Sequence, residues 1–83
     1  KNAMTVNQLS LMKYESLEGK SLEAVTKVRY KDAGTPSTIT QLGDEMHVRF
    51  HEPVSAIAPG QAAVFYEGDD VVGGGWIMSG YRV

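Results

Sequence analysis

The sequence predicts an all-β fold, a small antiparallel barrel or sandwich. Three observations carry that expectation. About six short segments are β-branched or alternate apolar and polar residues with period two. Turn-forming residues recur roughly every 8 to 12 positions, the spacing of small β domains. Almost no stretch shows a helical period.

Taken in order, MTVNQLSLM (residues 4–12) is the first candidate strand, and KYESLEGKS (13–21) is a loop with room for one helical turn. In SLEAVTKVRYK (21–31), Ala24, Thr26, Val28 and Tyr30 alternate with Glu23, Val25, Lys27, Arg29 and Lys31, which predicts a half-buried strand. DAGTP (32–36) is turn chemistry, with glycine and proline two apart, and the β-branched STITQL follows as a strand. A tight GDE turn (43–45) leads into EMHVRF, where Met46, Val48 and Phe50 oppose Glu45, His47 and Arg49; so short a connection predicts a hairpin. Pro53 and Pro59 make EPVSAIAPG an extended crossing segment that ends in a turn. QAAVFY (61–66) is nearly all apolar and reads as a strand buried on both faces or crossing a barrel wall. EGDD is a further turn, and VVGGGWIMS a final strand interrupted by glycines.

At 83 residues the chain holds one small domain with a thin core. It has no cysteine, which excludes disulfides and thiolate metal sites. No apolar run approaches the roughly 18 to 20 residues needed to span a bilayer, and no signal peptide is visible. The opening KNAM is not a natural initiator, so a residual tag or a piece of a longer chain is expected. The net charge of −2 argues against a nucleic-acid domain, but the charge is uneven: residues 1–31 carry six Lys/Arg against three Glu, and residues 32–83 two Arg against seven Asp/Glu.

Four features could carry chemistry. Gly73–Gly75 resemble a phosphate cradle, but such a loop works by opening a helix, and the eight residues that follow have no helical pattern; a strand bulge or sharp bend in a closing barrel fits better. His47 and His51 are four apart on a strand and turn, facing solvent with Arg49, and no third ligand completes a zinc site. Asp69 and Asp70 sit in a turn where aspartate is ordinary, without a partner base or nucleophile. Lys27, Arg29 and Lys31 fall on one strand face, roughly 7 Å apart from one to the next, and such a stripe suits phosphates. Tyr30 is expected on the opposite face. The competing reading is a solvated face balanced by Glu23 and other acids.

VTKVRYK followed by VRFHEPVSAIAPGQAAVFYEGDDVVGGGWI is similar to the C-terminal domain of bacterial tRNA-specific 2-thiouridylases. That family has a K-[IV]-R-Y strand, matched by Lys27–Tyr30. A later pattern, F-x-E/D-P-x-x-A-[IV]-x-P-G-Q-x-[AV]-V-F-Y, is matched by Phe50–Tyr66, a G-D turn by Gly68–Asp69, and G-G-G-x-I by Gly73–Ile77. MTVNQL resembles the family's entry to this domain. The resemblance is strong over residues 25–31 and 48–77 and loose over 10–24 and 32–47. It implies a six-stranded antiparallel barrel like the second domain of elongation factor Tu, spanning residues 1–83 at the end of a longer cytoplasmic enzyme. Such enzymes make 2-thiouridine at the tRNA wobble position: ATP, with magnesium, adenylates the uracil oxygen, and a cysteine persulfide delivers the sulfur. The implied partners are tRNA, the N-terminal and central domains of the parent chain, and a sulfur-relay donor protein, with no membrane. The phosphate loop and catalytic cysteines belong to the N-terminal domain, so no catalytic, cofactor or metal residue is expected here and the barrel alone is expected to be inactive. The expected RNA contacts are Lys27, Arg29 and Lys31, with Arg49 as a neighbour across a hairpin; a structural packing module with little RNA contact is the alternative.

Overall fold

A computed structural model describes all residues, 1–83. Six strands form: β1 (Ala3–Leu11), β2 (Ser21–Lys27), β3 (Thr35–Leu42), β4 (Glu45–Phe50), β5 (Ala62–Glu67) and β6 (Asp70–Tyr81). They close into an antiparallel barrel in the order β1-β4-β3-β2-β5-β6. The fold is therefore the all-β, six-stranded antiparallel barrel that the sequence predicts, and it contains no helix. No helix is long and apolar enough to cross a membrane.

Local chemistry explains the hairpins. Leu42 pairs with Glu45 across Gly43 and Asp44, and Gly43 has φ +63°. Glycine at the first central position of a two-residue hairpin supplies the left-handed backbone that matches strand twist. Gly68 does the same between β5 and β6, with φ +61°. In β4 the alternation is kept: Met46, Val48 and Phe50 are buried while Arg49 is exposed.

The alternate residues of each strand meet in one core. Phe65, Met4, Ile39, Met46, Val6, Val28, Val48 and Val72 are its largest fully buried side chains. Thr26 and Ser37 are also fully buried, and their hydroxyls satisfy each other at 2.7 Å. Ser37 donates its proton to the Ala24 carbonyl and so accepts from Thr26, and no buried side-chain polar atom lacks a partner. The crossing segment, residues 51–61, forms no strand, as its prolines predict, and inserts Val54 and Ile57 into one barrel mouth. Loop 12–20 covers the other mouth with Leu17, whose N–H donates to Gln41 Oε1 at 2.7 Å. That loop contains no helical turn.

Three local expectations are corrected. β2 ends at Lys27, not Lys31, and Val28–Lys31 form a bend and turn. β5 is not buried on both faces: Ala63 and Phe65 point inward, Ala62 is exposed, and Val64 and Tyr66 are half-buried. Pro36, expected in a turn, lies within β3.

β6 runs unbroken through its glycines, paired with β1 on one side and β5 on the other. Asn7 pairs with Trp76 and Ser10 with Gly74, so Gln8 and Leu9 stand against Gly75 alone. This is a β-bulge, and it bends β1 at Gln8, where φ is +51°. The glycines are there because backbone comes close. A Cβ on Gly73 would lie 2.5 Å from the Ser10 carbonyl oxygen, and one on Gly74 would lie 2.5 Å from that of Ala63. A Cβ on Gly75 would collide with the Asn7 oxygen. The close approach belongs to neighbouring strands, and no helix follows to receive a phosphate.

Candidate nucleic-acid interface

The turn after β2 organises the basic residues. Asp32 N–H donates to the Arg29 carbonyl at 3.1 Å, closing a four-residue turn with Tyr30 and Lys31 at its tip. The Asp32 carboxylate then accepts the N–H of Val28 at 3.0 Å and of Gly34 at 2.9 Å. Burial alone would raise the Asp32 carboxyl, but these two donors and the Arg29 and Lys27 charges outweigh it and hold it below its ordinary range.

This geometry rearranges the expected stripe. Lys27 is the last strand residue, half-buried and facing outward. Arg29 and Lys31 sit on the turn, so the three cations do not share a strand face. Arg29 Nη2 donates to the carbonyls of Ser55 at 3.0 Å and Ala56 at 2.7 Å, tying the turn to the segment that plugs the barrel. Ala56 itself has φ +55°, a left-handed conformation that alanine rarely takes, and the bond from Arg29 helps to hold it. None of Lys27, Arg29 and Lys31 joins an ion pair.

Tyr30 is not on an inner face. It is 96% exposed, between Arg29 and Lys31. It lines a concavity of ≈ 380 Å³ with Lys27, Arg29, Ala62, Val64 and Tyr66. Lys27 Nζ lies 4.8 Å from the centre of the Tyr66 ring, within cation–π range. The structure thus gathers two cations and two aromatic rings where the sequence pattern predicted cations alone. The signal for Tyr30 was available: Asp32 and Gly34 are turn formers, and a strand that stops before them leaves Tyr30 outside.

Arg49 does not join this group. It stands opposite Thr38, which stands opposite Glu23, four residues from Lys27 along β2. Four residues along and two strands across make a separation on the order of 16 Å. Arg49 instead borders a groove with His47, Thr38, Tyr81 and Val83. His47 approaches Glu45 at 3.4 Å and His51 approaches Glu23 at 3.1 Å, so each histidine serves a separate carboxylate. Thr38 Oγ1 is within hydrogen-bond distance of both Glu23 and His51 Nε2. Because Glu23 and Thr38 meet the same His51 nitrogen, the three do not form a proton relay.

The Asp69–Asp70 turn has a structural role that the sequence did not signal. Lys13 Nζ bridges Glu67 at 2.7 Å and Asp70 at 2.8 Å, and the Tyr14 hydroxyl donates to Glu67 at 2.6 Å. Hydrogen bonds from Lys13 first, and then from Tyr14, lower the Glu67 carboxyl, while the bond to Glu67 raises the Tyr14 phenol. The network pins loop 12–20 to the β5–β6 hairpin.

Residues 1–77 match the model of the aminomethyltransferase beta-barrel domain family. The chain is 63% identical over 82 residues to a tRNA-specific 2-thiouridylase of Cytophaga hutchinsonii, covering 99% of this chain and 22% of that protein. It is 55% identical to the tRNA-specific 2-thiouridylase of Amoebophilus asiaticus, with the same coverage of both chains. Against that of Chlorobium phaeobacteroides it is 45% identical over 78 residues, 93% of this chain and 22% of the relative. The chain therefore spans about a fifth of the length of the curated relatives it matches. The barrel architecture and the match over 1–77 agree: the chain belongs to the aminomethyltransferase β-barrel domain family, in the form found in tRNA-specific 2-thiouridylases.

Proposed function

We propose that residues 1–83 are the non-catalytic C-terminal barrel of a cytoplasmic tRNA 2-thiouridylase and that the barrel helps to hold tRNA. The parent enzyme places sulfur on C2 of the wobble uridine, using ATP, magnesium and a persulfide supplied by a sulfur-relay donor protein. The phosphate loop and catalytic cysteines reside in the N-terminal domain of the parent chain. The observation that carries the RNA contact is the pair of cations free of ion pairs, Lys27 and Arg29, gathered with Tyr30 and Tyr66 on a chain of net charge −2, with Lys31, also free of ion pairs, beside Tyr30 at the tip of the turn. Phosphates are held by such cations, and the contact is salt-dependent for that reason.

The residues divide the work. Lys27 and Lys31 are available to phosphate. Arg29 has two of its donor interactions committed to Ser55 and Ala56, so it shapes the site and offers its remaining donors to RNA. Arg49 serves as a contact only if tRNA wraps to the β3–β4 face. Reversing charge with Lys27→Glu and Lys31→Glu in the full-length enzyme tests the assignment. Weaker tRNA binding and slower thiolation at limiting tRNA are expected; unchanged affinity and thiolation show that the contact face is wrong.

A packing-module reading has its own supporting observation. Met12, Trp76 and Met78 are 74%, 49% and 42% exposed, and large apolar side chains in water suit a neighbouring domain. On that reading, removing the barrel destabilises the parent while the salt dependence of tRNA binding stays intact.

A further inference from the structure

The fold gains almost nothing from the Tyr30 ring, which is 96% exposed. Yet the turn that carries it is braced by several hydrogen bonds. Asp32 bonds the turn at both ends, and Arg29 anchors it to the plug segment across the barrel mouth. An aromatic ring held in water on a braced turn is organised for a ligand before the ligand arrives. The concavity that it rims has an apolar floor of Ala62 and Val64, a second ring in Tyr66, and two cations, with no carboxylate in the lining.

We propose that this concavity takes an unpaired nucleobase of RNA, stacked on Tyr30, with the flanking phosphates held by Lys27 and Lys31; this rests on the RNA-contact reading above. The chemistry favours an unpaired base over a duplex. A base inside a helix already has both faces stacked, so a protein ring reaches only bases that are splayed out. A duplex would meet the cations alone. The lining offers ring faces and positive charge but no amide or carboxylate to read a base edge. The site therefore acts as a stacking platform beside a cationic track.

The test uses the full-length protein with Tyr30→Ala, Tyr30→Phe and Lys27→Glu. Binding is measured for tRNA, a short oligouridylate single strand and an RNA duplex of equal length. Tyr30→Ala is expected to weaken the single strand about 5- to 150-fold, the range for one lost base stack. Tyr30→Phe should retain wild-type affinity, duplex binding should be unchanged, and thermal unfolding should not move because the ring is exposed. Wild-type single-strand affinity in Tyr30→Ala overturns the stacking proposal, as does an equal loss for strand and duplex. If Lys27→Glu still weakens tRNA in either case, the RNA-contact reading survives; if neither variant has any effect, both fall.

Discussion

Replacing Gly74 with alanine would set a methyl group 2.5 Å from the Ala63 carbonyl oxygen, where ordinary contact begins near 3.4 Å. The strands must part by roughly 0.9 Å, taking those two distances. A flexible side chain could absorb such a shift, but the obstacle here is backbone. Retreat is also blocked, because β6 is paired with β1 on its other edge. Overpacking of this kind costs about 1–3 kcal/mol, and a backbone clash between two paired strands belongs at the upper end. A chain of 83 residues has a total stability of roughly 4–12 kcal/mol. A loss of about 3 kcal/mol would lower its Tm by roughly 12–24 °C. Circular dichroism during urea and thermal unfolding of Gly74→Ala reads this directly. A variant within about 0.5 kcal/mol of wild type would refute the close-approach explanation. The phosphate-cradle alternative predicts the reverse pattern, with little change in stability and a loss of ATP binding.

Two further predictions concern what ties the loops down. The folded pKa of Glu67 is depressed, so its contribution is fully present above the unfolded carboxylate value of 4.5 and disappears as pH falls through the folded value. The Tyr14 phenol is raised, so its contribution is present below its unfolded value of 10.0 and is lost as pH climbs through the folded one. Urea midpoints should therefore fall at both extremes of pH, and Glu67→Gln should flatten both limbs; parallel profiles for wild type and variant would contradict the network. Asp32→Ala removes two backbone hydrogen bonds and should cost about 1–3 kcal/mol, read by urea unfolding. It should also weaken tRNA binding by the full-length protein, because the turn no longer presents Tyr30 and Lys31; stability lost with affinity intact would separate the turn from the interface.

The parts legible in the sequence were those fixed by local chemistry. Period-two alternation placed Met46, Val48 and Phe50 inward, and the glycines at 43 and 68 set the hairpins. The end of β2 was missed because alternation continues through the buried Val28. What stops the strand is the Asp32 carboxylate, which captures the Val28 N–H and turns Tyr30 outward. The reason for three glycines was only partly visible, since the atoms they avoid belong to residues 7, 10 and 63. Lys13 meets Asp70 across 57 residues, and Arg29 meets Ala56 across 27; no spacing rule links such pairs. The site was half legible for the same reason. The cations are close in sequence, at alternate positions from 27 to 31, whereas Tyr66, Ala62 and Val64 reach them only through the β2–β5 pairing, in which Lys27 stands opposite Val64.

The salt dependence of tRNA binding by the full-length protein tests the central claim most directly, with wild type compared against Lys27→Gln and Lys31→Gln singly and together. Each lysine that touches a phosphate should reduce the slope of log K against log salt by about 1, with weaker binding at low salt. Slopes and affinities equal to wild type in all three variants would contradict the account and leave the barrel as a packing module.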